Sequence, residues 1–109
     1  MISWVYLGVA IVFEVIGTMA LKYSSMNNSP IYTVITVLGY IISFTLVYFA
    51  IKKLDIGLVY AIWAGMGTAL IAVIGVVLFG EQMNIIKALC ILLIIVGSVG
   101  LKFISGSEV

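Results

Sequence analysis

Four apolar runs separated by short polar breaks limit this chain to very few folds: Ile2–Leu21, Ile31–Ile51, Ile56–Phe79 and Ile85–Leu101. A helix of about 20 apolar residues is about 30 Å long, the thickness of a bilayer's hydrocarbon core. Each run therefore reads as a membrane span. The first is closed by Lys22 and the turn-rich stretch Ser24–Pro30, and Pro30 can open the second helix, where its missing N–H does no harm. The second ends at Lys52–Asp55 and the third at Gly80–Asn84. Lys87, near the start of the fourth, can snorkel to the interface, and Lys102 closes that run. Links this short force an up-and-down path with both termini on one side. The expected fold is an all-α membrane protein, residues 1–109 forming one domain of four transmembrane helices.

Composition narrows the chemistry. Of 109 residues, 65% are hydrophobic and 8% charged, against about 25% charged in soluble domains. There is no Arg and no basic cluster, which leaves nucleic-acid binding unsupported. With no His and one Cys, a protein-built metal or haem site, an internal disulfide, and Ser/His or Cys/His catalysis are all excluded as expectations. No cofactor is expected. The N-terminus lacks the features of a cleaved secretory signal and reads as a retained span.

Glu14 is the only charged residue within Ile2–Leu21. A carboxylate at that depth costs roughly 2.5–3.5 kcal/mol on insertion scales, so it needs a role. A neutral Glu hydrogen-bonded between helices would be one, but Gln would pack as well with no charge to suppress. The other is a carboxyl group that binds protons, cations, or each in turn.

At 100° per residue, Leu7, Ala10, Gly17, Thr18 and Leu21 lie within about 60° of Glu14. The small ones leave room beside the carboxyl group for a ligand, and close small-residue helix packing accounts for the same spacing equally well. On the second helix Thr33, Thr36, Tyr40 and Ser43 form a hydroxyl stripe, with Phe44 close by. Such a stripe should face protein or water, and interhelical hydrogen bonding alone would explain it. On the third, Tyr60, Trp63, Ala64 and Gly67 share a face. Rings near a carboxylate suit an organic cation, through charge pairing and cation–π contact. Trp4, Tyr6 and Tyr32 sit at span ends and suit an interfacial belt. Cys90, Gly97 and Gly100 form a small-residue seam on the fourth helix, read as a packing or dimer surface, and Asp55 and Glu81 read as solvated loop charges.

The lysines hardly choose an orientation: Lys52, Lys53 and Lys102 on one side of the membrane, Lys22 and Lys87 on the other. Either the fixed topology is weakly signalled, or copies insert both ways and pair antiparallel.

Together these residues resemble the small multidrug resistance family of bacterial transporters. The resemblance covers nearly the whole chain and rests on Glu14-Val15-Ile16-Gly17-Thr18, Leu21-Lys22-Tyr23-Ser24, Tyr60-Ala61-Ile62-Trp63-Ala64-Gly65-Met66-Gly67 and Leu78-Phe79-Gly80-Glu81. It implies an antiparallel homodimer of four-helix subunits in the bacterial cytoplasmic (inner) membrane, exchanging protons for organic cations. By the same resemblance Glu14 is the shared proton and substrate site, and Tyr40, Tyr60 and Trp63 line it, with Leu7, Ala10, Gly17, Thr18 and Ser43 around them. Gly65 and Gly67 match a bend in the third helix, and Gly97 matches the dimer contact, where Cys90 stands in place of a frequent glycine.

Guanidinium-exporting members of the family typically carry Trp at the position of Gly17, and polyamine-exporting relatives often have an acidic residue near position 64, which here is Ala64. Gly17-Thr18 thus resembles the quaternary-ammonium and multidrug branch. The expected partners are an organic cation, protons, membrane lipid and a second copy. The alternatives are guanidinium or polyamine export, a flippase for a lipid-linked substrate, or a non-transporting assembly or pore-forming subunit. A flippase would be expected to need a central cationic site, and a non-transporting subunit has less reason for a lone carboxylate among small residues and rings.

Overall fold

The computed structural model describes residues 2–105, folded into four α-helices: α1 (Ile2–Asn27), α2 (Pro30–Ala50), α3 (Ile56–Phe79) and α4 (Ile85–Ser105). All four are long and apolar enough to cross a membrane. Pro30 occupies the first turn of α2 as expected. Gly80 ends α3 in a left-handed conformation (φ 67°), which glycine adopts without a Cβ clash. At the start of α4 the Asn84 side chain accepts from the Lys87 backbone N–H at 2.8 Å.

One boundary departs from the apolar pattern. α1 does not stop at Leu21 but runs to Asn27, through residues whose polarity resembles that of a turn. Polarity marks where the lipid ends, whereas a helix ends where its backbone leaves the helical conformation. Here that point is Asn28, at φ 52°, whose N–H still bonds to the Ser24 carbonyl at 2.9 Å.

The helices pack in the order α2–α1–α3–α4, so α1 lies between its two main neighbours. The molecule measures 45 × 35 × 17 Å. With helix diameters of about 10–12 Å, the shortest dimension makes it a slab rather than a closed bundle. Ala10, Leu7 and Val59 are fully buried at the junction of α1 with its neighbours, with Ile11, Ile62 and Trp63 beside them.

The α1–α2 seam is held by the hydroxyl stripe of α2. Thr33 Oγ1 and Ser24 Oγ are 2.7 Å apart, Thr36 Oγ1 donates to the Gly17 carbonyl at 2.9 Å, and Tyr40 Oη meets Thr18 Oγ1 at 2.7 Å. Ser43 Oγ donates to the Ala10 carbonyl at 2.7 Å. Between these rungs the two backbones nearly touch: a Cβ on Gly39 would lie 3.0 Å from the Phe13 carbonyl oxygen and 3.2 Å from Gly17 Cα. A side chain there would press on backbone, which yields less readily than the end of a flexible side chain.

Glu81, expected to be a solvated loop charge, lies exposed in the α3–α4 link. Its carboxylate folds back against Gly75 in the last turns of α3, and Lys87 Nζ stands 3.9 Å away. Lys87 also donates to the Gln82 carbonyl at 3.0 Å, so the side chain expected to reach for the interface ties down the α3–α4 link.

Candidate functional site

A cleft of about 220 Å³ opens beside Glu14, walled by Tyr40 and Phe44 of α2 and Trp63 of α3. Glu14 itself is half-buried, and its Oε2 is fully enclosed with no hydrogen-bond partner. An unpaired buried polar atom costs about 1–3 kcal/mol, more when charged. The carboxyl group is therefore an unsatisfied acceptor facing a ring-lined cleft, as a cation or proton site requires.

Gly67 makes room for it. A Cβ there would sit 2.6 Å from Oε2 and 2.7 Å from Oε1, so any larger residue at this position would displace the carboxyl group. Gly65, one turn-fraction away on the same unbroken helix, faces α4 instead, and its Cβ would come within 2.8 Å of Ser98 Oγ. The two residues expected at a bend lie within an unbroken helix and mark close approaches of side chains from α1 and α4.

Ser43 links the three helices. Fully buried, it donates to the Ala10 carbonyl on α1 and accepts from the Trp63 indole N–H at 3.2 Å. Its hydroxyl is engaged on both sides, and it orients the Trp63 indole. Trp63 in turn stands edge-on to Phe44, with ring centroids 4.9 Å apart. Tyr60 is T-shaped to Trp63 at 5.9 Å and 63% exposed, at the outer edge of the cluster. Tyr40 lies over Gly17: a Cβ on that glycine would be 3.0 Å from two ring carbons. Its bond to Thr18 fixes the ring in the space that a side chain at position 17 would take.

The remaining expected residues separate cleanly. Ala10 and Leu7 are buried behind the cleft as packing surface. Cys90 and Gly97 lie away from it on the exposed flank of α4, with nothing within 4 Å of a Cβ on Gly97. Phe44 is a wall residue that spacing alone did not single out, though its place one residue after Ser43 put it beside the stripe. Gly39 was missed altogether, since one glycine in an apolar helix carries no sign of the backbone opposite.

Four spans assembled around one intramembrane carboxyl group define a small multi-pass membrane protein. The chain belongs to the small multidrug resistance family: the family model described as "Small Multidrug Resistance protein" matches residues 2–94. Among similar proteins, the Bacillus subtilis (strain 168) membrane protein YvaE, described as uncharacterized, is 38% identical over 102 residues, spanning 94% of this chain and 86% of its own length. A guanidinium exporter of Proteus vulgaris is 36% identical over 103 residues, spanning 94% and 99%. The guanidinium exporter of Escherichia coli (strain K12) is 38% identical over 100 residues, spanning 92% and 95%. With four apolar spans and bacterial relatives of this kind, the chain is a multi-pass protein of the bacterial inner membrane.

Proposed function

We propose that this protein is a proton-coupled antiporter that exports small organic cations, with guanidinium-class cations as the first substrates to consider. The observation that carries the reading is the Glu14 carboxyl group, enclosed at mid-span with an unpaired oxygen beside a cleft of aromatic rings. A planar guanidinium can pair with a carboxylate through two parallel N–H···O bonds and stack on a ring face. Proton and cation compete for the same oxygens, so loading one releases the other and no covalent step is needed.

The names of the similar exporters back guanidinium over the quaternary-ammonium reading drawn from Gly17-Thr18. The second reading keeps one specific support. Tyr40 fills the space over Gly17, and the Tyr40 and Ser43 hydroxyls are engaged by neighbours, so the cleft offers rings more than free acceptors. That environment suits a cation without N–H donors. Proteoliposomes containing the purified protein separate the readings through proton release on adding guanidinium or a tetraalkylammonium ion. Release with guanidinium alone establishes the first, and release with tetraalkylammonium alone establishes the second. Release with neither removes the antiport reading.

The working unit in this reading is an antiparallel homodimer whose two Glu14 carboxyl groups share the substrate. Its support is the near-balanced lysine distribution and the exposed flank of α4. Two variants biased to opposite orientations by added lysines should be inactive alone and active when co-expressed. Activity from one uniformly oriented variant would exclude the antiparallel arrangement.

A further inference from the structure

A second, larger cleft lies on the other side of α1 from Glu14. It measures about 590 Å³ and is lined by Ile16, Met19 and Tyr23 of α1, Tyr32 of α2, and Ile74 and Val77 of α3, among others. At 100° per residue, Ile16, Met19 and Tyr23 project opposite Glu14, so this groove is separate from the cation cleft. Its volume falls within the range of about 300–1,000 Å³ usual for small-ligand sites, whereas the Glu14 cleft of a single subunit falls below it.

The groove has a polarity along its length. Its deeper walls are aliphatic. At the end nearest the α1–α2 and α3–α4 links, Tyr23 stacks on Tyr32 at 5.5 Å and meets Phe79 at 5.3 Å. Phe79 carries the Lys22 ammonium 5.9 Å above its ring. Lys22 is exposed, and no carboxylate among the described residues pairs with it, because Glu81 on the same side is taken by Lys87. A ligand suited to this arrangement has an apolar chain, an interfacial level that tyrosines tolerate, and an anionic head within reach of an ammonium group. We infer that the groove is a seat for an anionic phospholipid of the surrounding bilayer, its acyl chain along α1 and its phosphate against Lys22.

A zwitterionic lipid would fill the same walls, but its own ammonium would compete with Lys22 for the phosphate. The preference should therefore lie in the headgroup and depend on one side chain, whereas chain occupancy should depend on the groove. Basic residues near a bilayer surface contribute about 1 kcal/mol each toward anionic lipid, equivalent to roughly fivefold in affinity.

Native mass spectrometry of the protein released from nanodiscs of phosphatidylglycerol and phosphatidylcholine in equal parts reads both quantities. The wild-type protein should retain phosphatidylglycerol about fivefold over phosphatidylcholine. Lys22→Gln should remove the preference, and Lys22→Arg should keep it. Val77→Trp fills the groove from an exposed position on α3 and should lower retention of both lipids; Ile16→Trp does so from α1 if the first variant fails to insert. Equal retention of the two lipids by the wild-type protein overturns the proposal. So does a preference that survives Lys22→Gln, or retention unchanged by both tryptophan variants.

Discussion

Helices α1 and α4 are both apolar enough to cross a membrane and have opposite surroundings. Along α1, seven residues from Ser3 to Ala20 are buried, a fully formed hydroxyl seam joins it to α2, and α3 covers its other flank. Along α4, Ile91 and Ser98 alone are buried among the described residues, while Leu92, Leu93, Val96 and Val99 face outward. In a membrane, apolar exposure is no liability, so hydrophobicity alone could not have assigned these roles. What separates the two helices is small and polar residues: α1 has partners for its backbone carbonyls and, at Gly17, a glycine that admits another helix, and α4 keeps its glycines open. The helix bearing the ionisable group is held in place by its own subunit, and the outer helix is left for contacts beyond it.

Removing the ionisable group should have the largest effect. Glu14→Gln keeps the shape and loses the titrating group, so coupled export should vanish while insertion and the α1 contacts persist. Vesicles in which this variant still drives uphill export would show that α1's special environment serves packing alone.

The next test concerns the seam. Gly39→Ala forces α1 and α2 apart, since its Cβ would press on backbone that cannot rotate away. Such overpacking costs about 1–3 kcal/mol, to be read as a lowered midpoint in SDS unfolding. An unchanged midpoint would mean that α1 is no more tightly held than α4.

Ser43→Ala should follow, at about 1 kcal/mol or somewhat less, since intramembrane side-chain hydrogen bonds average about 0.6 kcal/mol. Because it also releases the Trp63 indole, substrate affinity should fall with stability. A stability loss with affinity untouched would make Ser43 a seam residue only.

On α4 the matching change should do least to the subunit. Gly97→Ala meets open space, so unfolding of the subunit should move by no more than about 0.5 kcal/mol. Any effect should appear in cross-linking between copies. A large loss of subunit stability would erase the contrast between the helices.

The fold was legible because lipid imposes length on apolar runs: α2, α3 and the start of α4 begin where Pro30, Asp55 and Asn84 place them. The C-terminal turns of α1 were not, since Lys22–Asn27 are polar yet helical. The site was half legible. Glu14, Tyr40 and Trp63 stood out by residue type and depth, and the structure brings them to one cleft. Periodicity assigns a face to each helix but neither its neighbour nor the axial register, so the pairing of Ser43 with Ala10 and of Gly67 with Glu14 could not be read from the chain. The contact of the Glu81 carboxylate with Gly75 was hidden for the same reason, being a matter of how the chain turns at Gly80.

The α1–α2 seam also bears on how the protein is made. The two helices are consecutive, joined through Asn28 and Ser29, and every rung between them is complete without α3 or α4. A translating ribosome delivers this hairpin before α3 and α4, and contacts between near neighbours in sequence form early. The pair can zip as soon as Ala50 has entered the bilayer, giving the later α3 a finished surface on which to dock Trp63.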